Sequence, residues 1–374
     1  MKIRAAVLHE MGLPRPYSQS KPLKIETLDL DPPGEGEVLV KIHAAGLCHS
    51  DLSVIDGNRP RPMPMALGHE AAGEVLEVGH GIDDVEPGDH VVFVFVPSCG
   101  HCRPCASGRP ALCEPAAAAN GQGTLVSGER RLRLDGAPVN HHLGVSAFAD
   151  HAVVSRRSFV KIEKDLPFDI AALFGCAVIT GVGAVVNTSK VHPGSKVAVI
   201  GLGGVGLNAL LGARLAGARQ IVAIDMRQDK LDFARELGAT DVFNAGDENC
   251  AAVVKEATSG GVDYAFEMAG SAKALELAWN ITGRGGETVS AGLPHPDQRL
   301  SIPPVQLVAE ERTLRGSYLG SCVPVRDIPN FVQLYRAGQL PVDRLLTERI
   351  PLDDINDAFE RLANGETVRT VMIP

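Results

Sequence analysis

The run Lys196-Val-Ala-Val-Ile-Gly-Leu-Gly-Gly-Val-Gly206 limits the folds open to this chain more than any other stretch. An apolar strand pattern passes directly into Gly201-x-Gly203-x-x-Gly206 and then into the helical pattern Leu207 to Leu215. A second apolar run, Ile221-Val-Ala-Ile-Asp225, follows. Strand, glycine turn, helix and strand in that order are what a dinucleotide-binding turn requires. The glycines permit a tight turn, close approach of a pyrophosphate, and close packing of helix on strand. The helix N-terminus offers free N–H groups and partial positive charge to phosphates. Gly201, Gly203, Gly204, Val205 and Gly206 are therefore candidate cofactor contacts. Asp225 closes the second strand, where its carboxylate can accept from both ribose hydroxyls. It would repel a 2′-phosphate, so NAD is expected over NADP; Arg227 nearby argues mildly the other way. Strand patterns recur at Asp241-Val-Phe, Asp263 to Glu267, Glu287 to Ala291 and Thr313 to Tyr318. That makes about six strands, as in a doubly wound sheet.

Outside this region the pattern is different. Residues 1–45 and 131–162 read as short strands and turns, and Asn58 to Pro64 must be a loop because proline lacks the backbone donor. The 374 residues suit two domains, at roughly 100–200 residues each. A formal charge of −9 argues against nucleic acid or an anionic membrane as partner. The basic cluster at 129–133 reads as a solvated hairpin face. The N-terminus has no apolar h-region, so no signal peptide is expected. The apolar stretch Val197 to Ala218 carries many glycines, Asn208 and Arg214, which speaks against a membrane span.

Two groups of metal-ligand residues stand out. Cys99-Gly-His-Cys102-Arg-Pro-Cys105 is followed by Cys113. Four cysteines so spaced indicate a closed tetrathiolate zinc site that pins a loop, with an iron–sulfur cluster as the rival. The short, polar, Pro/Gly-rich loop favours zinc. Such clustered thiols imply a reducing compartment, hence a cytoplasmic protein. The second group is Cys48 in Gly-Leu-Cys-His-Ser-Asp and His69 in Gly-His-Glu, with Cys176 far downstream. Two cysteines and a histidine would leave one tetrahedral position open, as catalytic zinc requires. Taken alone, these residues could equally be buried core.

These motifs, in this order, resemble the zinc-dependent medium-chain alcohol dehydrogenases over essentially the whole chain. Gly-His-Glu-Ala-Ala-Gly at 68–73 and Cys-Ala-Val-Ile-Thr-Gly at 176–181 belong to the same set, and Gly123 to Val154 resembles the longer, liver-type branch. The resemblance implies a GroES-like, mostly-β catalytic domain at 1–177 and 320–374. A Rossmann NAD-binding domain would occupy 178–319. It implies catalytic zinc on Cys48, His69 and Cys176, and structural zinc on Cys99, Cys102, Cys105 and Cys113. Ser50 would receive the alcohol's proton, Asp51 would orient His69, and Glu70 would assist ligand exchange. Thr180 would lie at the nicotinamide, Lys230 near the adenosine ribose and Arg369 near the pyrophosphate. His49 stands where an arginine often meets the pyrophosphate. Ser53 stands where a histidine usually ends the proton relay, a place His49 could take. Phe95, His142, Leu293 and Tyr318 match pocket-lining positions. The glutathione-dependent formaldehyde branch needs an acidic residue where Arg59 occurs and an arginine near Ala117, so that activity is not expected. The implied reaction is reversible hydride transfer between a small-molecule alcohol and NAD. The implied assembly is a homodimer, with a tetramer as alternative, paired through the strand at Glu287 to Ala291. A non-catalytic nucleotide-binding or structural protein of the same fold is the competing reading. That role usually goes with lost zinc ligands, and all seven are present.

Overall fold

A computed structural model describes residues 1–374. The chain divides into two compact units: Met1–Cys176 with Val323–Val332 and Val342–Pro374, and Ala177–Cys322 with Gln333–Pro341.

The first unit is mostly β. One part is a small closed barrel of Lys2–Leu8, Leu23–Leu30, Leu132–Leu134, Ala137–His141 and Met65–Ala66. Closure removes the free edges that short strands would otherwise expose. The other part is a seven-stranded sheet centred on Glu37–Gly46, which pairs antiparallel with Glu70–Val78, His151–Ser155 and Arg369–Ile373. This sheet packs Val38, Val40, Phe93 and Phe159 against Phe148 and Phe359 in one buried core. Asn58 to Pro64 is indeed neither helix nor strand. The basic run at 129–133 is more than a solvated face. Arg131 pairs with the buried Glu37 at 2.7 Å, Arg133 pairs with Asp31, and Arg130 donates to Asn140.

The second unit holds a six-stranded parallel sheet. Numbering its strands alone, these are β1 (Lys196–Ile200), β2 (Gln220–Asp225), β3 (Asp241–Asn244), β4 (Val262–Glu267), β5 (Thr282–Ser290) and β6 (Thr313–Gly316), in the order 3-2-1-4-5-6. Strands β1 and β2 read as unbroken apolar runs because they are buried on both faces, as parallel strands are. The strand at Glu287 to Ala291, expected to pair subunits, is not an outer edge of the sheet. That segment lies in β5, hydrogen-bonded to β4 on one side and β6 on the other. The edge on that side is β6, all four of whose residues are exposed. Pairing across the assembled sheet distinguishes the two strands.

Phe168–Ser189 forms one helical stretch of 22 residues, long and apolar enough to cross a membrane by length and composition. Its most apolar window is 89% buried within the protein, so it is read as a core helix.

Candidate active site

Three glycines create the first cluster. Strand Glu37–Gly46 delivers Cys48 to the start of a short helix, His49–Ile55. At Gly46 a Cβ would lie 2.8 Å from the Glu70 carboxyl carbon and 2.9 Å from the Arg369 guanidinium, so only glycine admits both. Gly68, at φ +95°, turns the chain to aim His69 inward; a Cβ there would meet the Phe148 nitrogen at 2.4 Å. Gly175 presses its helix on the Phe93 carbonyl and so brings in Cys176.

The result is a set of four buried side chains, Cys48, His69, Glu70 and Cys176, whose ligand atoms all lie within 4.8 Å of one another. Asp51 is fully buried and accepts from the Gly68 N–H at 3.2 Å and the His69 Nδ1 at 3.1 Å. That bond makes Nδ1 the donor to Asp51 and leaves Nε2 as the nitrogen that takes either a second proton or a metal ion. Nε2 is buried and has no hydrogen-bond partner, and neither does Glu70 Oε2. Orphaned buried atoms of this kind cost about 1–3 kcal/mol each. Two thiols, one freed imidazole nitrogen and a carboxylate converging in a buried space fit a zinc ion.

The electrostatics agree with a site built for a cation. The Cys48 thiol is drawn well below its ordinary value, chiefly by the hydrogen bond from Cys176, whose own value is pushed up by the same bond. Burial opposes charge on His69, but Asp51 and Cys48 outweigh it and hold the imidazole well above its usual value. Burial lifts Glu70 to about 7 against the pull of Arg369.

The four cysteines Cys99, Cys102, Cys105 and Cys113 also have sulfurs within 4.8 Å of one another, and none forms a disulfide. The Cys102 N–H points at Cys99 Sγ and the Cys99 N–H at Cys113 Sγ, each at 3.2 Å. Backbone donors aimed at sulfur stabilise thiolates, so the group fits a closed zinc site.

In the second unit, Gly201 adopts φ +90°, and a Cβ on Gly206 would lie 1.8 Å from the Gly201 carbonyl oxygen. A Cβ on Gly203 would meet nothing within 4 Å. That open cradle faces a helix, Gly204–Leu215, with no side-chain cap on its N-terminus, so Gly204 and Val205 present backbone N–H groups. Asp225 Oδ2 accepts from the Leu202 N–H at 2.7 Å and Oδ1 from the Arg227 N–H at 3.0 Å. The carboxylate therefore ties the glycine turn to the end of β2, beside the cradle. These residues fit a dinucleotide. Lys230 is half-buried, Thr180 is buried in the long helix, and Leu293 and Tyr318 are exposed.

Several expected residues fall in unexpected company. Ser50 Oγ lies 3.7 Å from Cys48 Sγ, beside the cluster, whereas His49 is exposed on the same helix. Ser53 spends its hydroxyl on the His49 carbonyl at 2.8 Å. Arg369, expected at a pyrophosphate, is buried and paired with Glu70. His142, expected only as a pocket wall, has Nδ1 3.0 Å from Asp51 Oδ1 in a contact not aligned as a hydrogen bond. Its ring meets the His69 ring edge-on at 5.5 Å. Phe95 meets His69 edge-on at 5.3 Å, with its carbonyl held by Asn120. The approach of His142 to Asp51 had no signal in local sequence, since 91 positions separate the two.

Residues 34–164 match the alcohol dehydrogenase GroES-like domain, and residues 204–337 match the zinc-binding dehydrogenase domain. The S-(hydroxymethyl)glutathione dehydrogenase of Paracoccus denitrificans is 39% identical over 385 residues, covering all of both chains. An alcohol dehydrogenase zinc-binding domain protein from Burkholderia ambifaria superposes with a TM-score of 0.94 at 36% identity, covering 100% of this chain and 99% of that one. The benzyl alcohol dehydrogenase of Acinetobacter calcoaceticus gives 0.93 at 34% identity, with the same coverage.

Proposed function

The chain belongs to the zinc-dependent medium-chain alcohol dehydrogenase family and is a zinc-dependent alcohol oxidoreductase; beyond that class, we propose the following site and substrate. Cys48, His69 and Cys176 hold the catalytic zinc, and Cys99, Cys102, Cys105 and Cys113 hold a structural one. The observation that carries this is the buried His69 Nε2, left without a partner, on a side chain whose ligand atom lies within 4.8 Å of two thiol sulfurs. When bound, zinc supplies Lewis acidity toward an alcohol oxygen, and NAD supplies the hydride acceptor.

The chain's own residues do the rest. Asp51 fixes the His69 ring and tautomer. Ser50, beside Cys48, relays the alcohol's proton, accepting it as its own hydroxyl proton passes on toward solvent, because a buried site offers no bulk water at the reacting oxygen. Glu70 stands ready as an exchangeable carboxylate, balanced by Arg369. Gly201 to Gly206 cradle the pyrophosphate, and Asp225, half-buried at the end of β2, takes the ribose with Lys230 near it. Thr180 lies at the nicotinamide. Phe95 and His142 wall the substrate space.

The substrate we favour is a simple alcohol, such as a benzylic one, rather than a glutathione adduct, because Arg59 occupies the position where the adduct branch needs an acid. The relatives named for the adduct make the comparison necessary. Wild-type protein should reduce NAD faster with benzyl alcohol than with formaldehyde plus glutathione, and the reverse order would overturn this choice. Ser50→Ala should lower alcohol oxidation by about 100-fold, within the usual range for general acid–base groups. Zinc content and NAD binding should hold. Oxidation at the unmodified rate would refute the proton route.

The exposed edge strand β6 and the exposed Val305 and Val308 support a homodimer. A monomer mass in solution would contradict it.

A further inference from the structure

We propose that Asn120 is a positioning residue for substrate choice: it fixes the Phe95 ring, so that the site favours aromatic over small aliphatic alcohols. This rests on the reading of Phe95 as a wall of the substrate space and narrows the substrate class of that site.

Asn120 stands in the helix Glu114–Gln122, whose sequence is Glu-Pro-Ala-Ala-Ala-Ala-Asn-Gly-Gln. The buried residues of this helix are Ala116, Ala119 and Asn120. Spacings of three and four put them on one face. An amide on the inward face of a helix is costly, since asparagine is a poor helix former and burial strips it of water. Its Oδ1 is buried without a partner. Leucine or alanine there would avoid both costs. Departures of this kind concentrate at functional sites.

The amide reaches across to another element. Asn120 Nδ2 donates to the Phe95 carbonyl at 2.8 Å. Phe95 lies beyond the end of the strand His90–Phe93, outside its ladder. The chain is held on either side of it. The Val94 N–H donates to the Ser158 carbonyl at 2.7 Å, and Arg157 donates to the Ser98 carbonyl at 3.5 Å and to the Cys99 carbonyl. Asn120 supplies a hold at Phe95 itself. The helix that carries Asn120 begins directly after Cys113, and the segment that carries Phe95 ends at Cys99. Both partners of the bond are therefore tied to the same four-cysteine cluster.

The Phe95 ring is the part that meets the reaction site. Its centroid lies 5.3 Å from that of His69, with the two planes at 90°. Such a contact depends on where the ring stands, because dispersion falls off steeply with distance. Misplacements of about 1 Å, from changes remote from the chemistry, can cost about 100-fold in rate. An aromatic alcohol can pack its ring on that of Phe95. Ethanol has no ring, so its turnover depends far less on the position of Phe95.

The experiment measures kcat/KM for benzyl alcohol and for ethanol at saturating NAD, in wild type, Asn120→Leu, Phe95→Leu and the double variant, all as holoenzyme. Zinc content, melting and hydrogen exchange across residues 94–99 are followed alongside. Asn120→Leu should lower the ratio of benzyl alcohol to ethanol about 10-fold, in the range of a buried carbonyl left without its donor. Exchange across 94–99 should quicken while zinc content holds. In the Phe95→Leu background the same substitution should change the ratio little, because the ring it acts through is gone. Asn120→Asp keeps the shape and tests the donor. An ionised carboxylate cannot donate and a protonated one can, so its ratio should be low at high pH and recover as pH falls. The wild-type ratio should stay flat, since proton steps common to both alcohols cancel. An unchanged ratio in Asn120→Leu, or equal losses in both backgrounds, overturns the positioning role while benzyl alcohol survives as substrate. Parallel loss of both activities together with zinc would also overturn it, by showing that Asn120 supports the fold. A wild type that prefers ethanol, with a ratio that still depends on Asn120 only when Phe95 is present, overturns the benzylic reading and leaves the positioning role.

Discussion

The Asp51–His69 bond offers a direct test of how the first cluster is built. Asp51→Asn keeps the volume and one acceptor oxygen but removes the charge. Two donors now depend on that charge: the Gly68 N–H at 3.2 Å and the His69 Nδ1–H at 3.1 Å. Hydrogen bonds to a charged group contribute about 1.5–3 kcal/mol, against about 0.5–1.5 kcal/mol for neutral pairs. The His69 bond alone should thus weaken by about 1–2 kcal/mol. A turned amide would do more harm, since its NH2 would donate to Nδ1 and drive the ring proton to Nε2, the atom meant for the metal. Partners of metal-bound histidines are typically worth about 10–100-fold in affinity, or about 1.4–2.7 kcal/mol, which agrees. The assay is zinc competition against a chelator of known affinity, with metal content counted per chain and circular dichroism to check the fold. Chelation should strip the Asp51→Asn protein of its Cys48–His69–Cys176 zinc while the four-cysteine zinc stays. Asp51→Ala should lose more, because it leaves both N–H groups without an acceptor. Wild-type zinc affinity in Asp51→Asn would refute the orienting role. Loss of both metals together would show that Asp51 supports the fold instead.

Cys102→Ser should lose one zinc per chain and melt at lower temperature, with the Cys48 cluster still loaded; full zinc and unchanged melting would contradict the tetrathiolate. Asp225→Gly should weaken NAD and narrow its advantage over NADP in kcat/KM, whereas equal efficiency with both cofactors in the unmodified protein would sink the ribose assignment. His141 is buried and accepts from the Arg131 N–H; burial first, then Arg130 and Arg131, lowers it to about 3. The unfolded chain therefore takes up a proton that the folded one refuses, so this stability is complete above the ordinary histidine value and drains away as pH falls toward the folded value. At about pH 5 the loss is about 2 kcal/mol, and urea unfolding of His141→Gln should fall by about that much less than wild type between about pH 7.5 and pH 5. Equal losses in the two proteins would show that His141 is not held neutral.

Much of this was legible in the sequence, because the decisive constraints are local. Gly201, Gly203 and Gly206 sit within one turn, between an apolar strand pattern and a helical one, and that order implies strand, phosphate cradle and helix. Cys99, Cys102, Cys105 and Cys113 lie within 15 positions, so chain connectivity brings their sulfurs together. Cys48 and His69 were the right ligand types, but Cys176 is more than 100 positions from either. No local pattern joins it to them; the resemblance did, and the fold does so by pressing Gly175 on Phe93.

The tertiary structure alone decided which groups face one another. Arg369 and Glu70, 299 positions apart, meet because their strands both border Gly46. His142 reaches Asp51 only after a strand of the barrel carries it there. The outer strand of the parallel sheet is β6 and not β5, a matter of pairing on both sides that neither strand's residues express. Sequence determines what each residue can do within its own turn of chain. Burial and partnership between distant residues depend on packing, and packing exists only once the whole chain has folded.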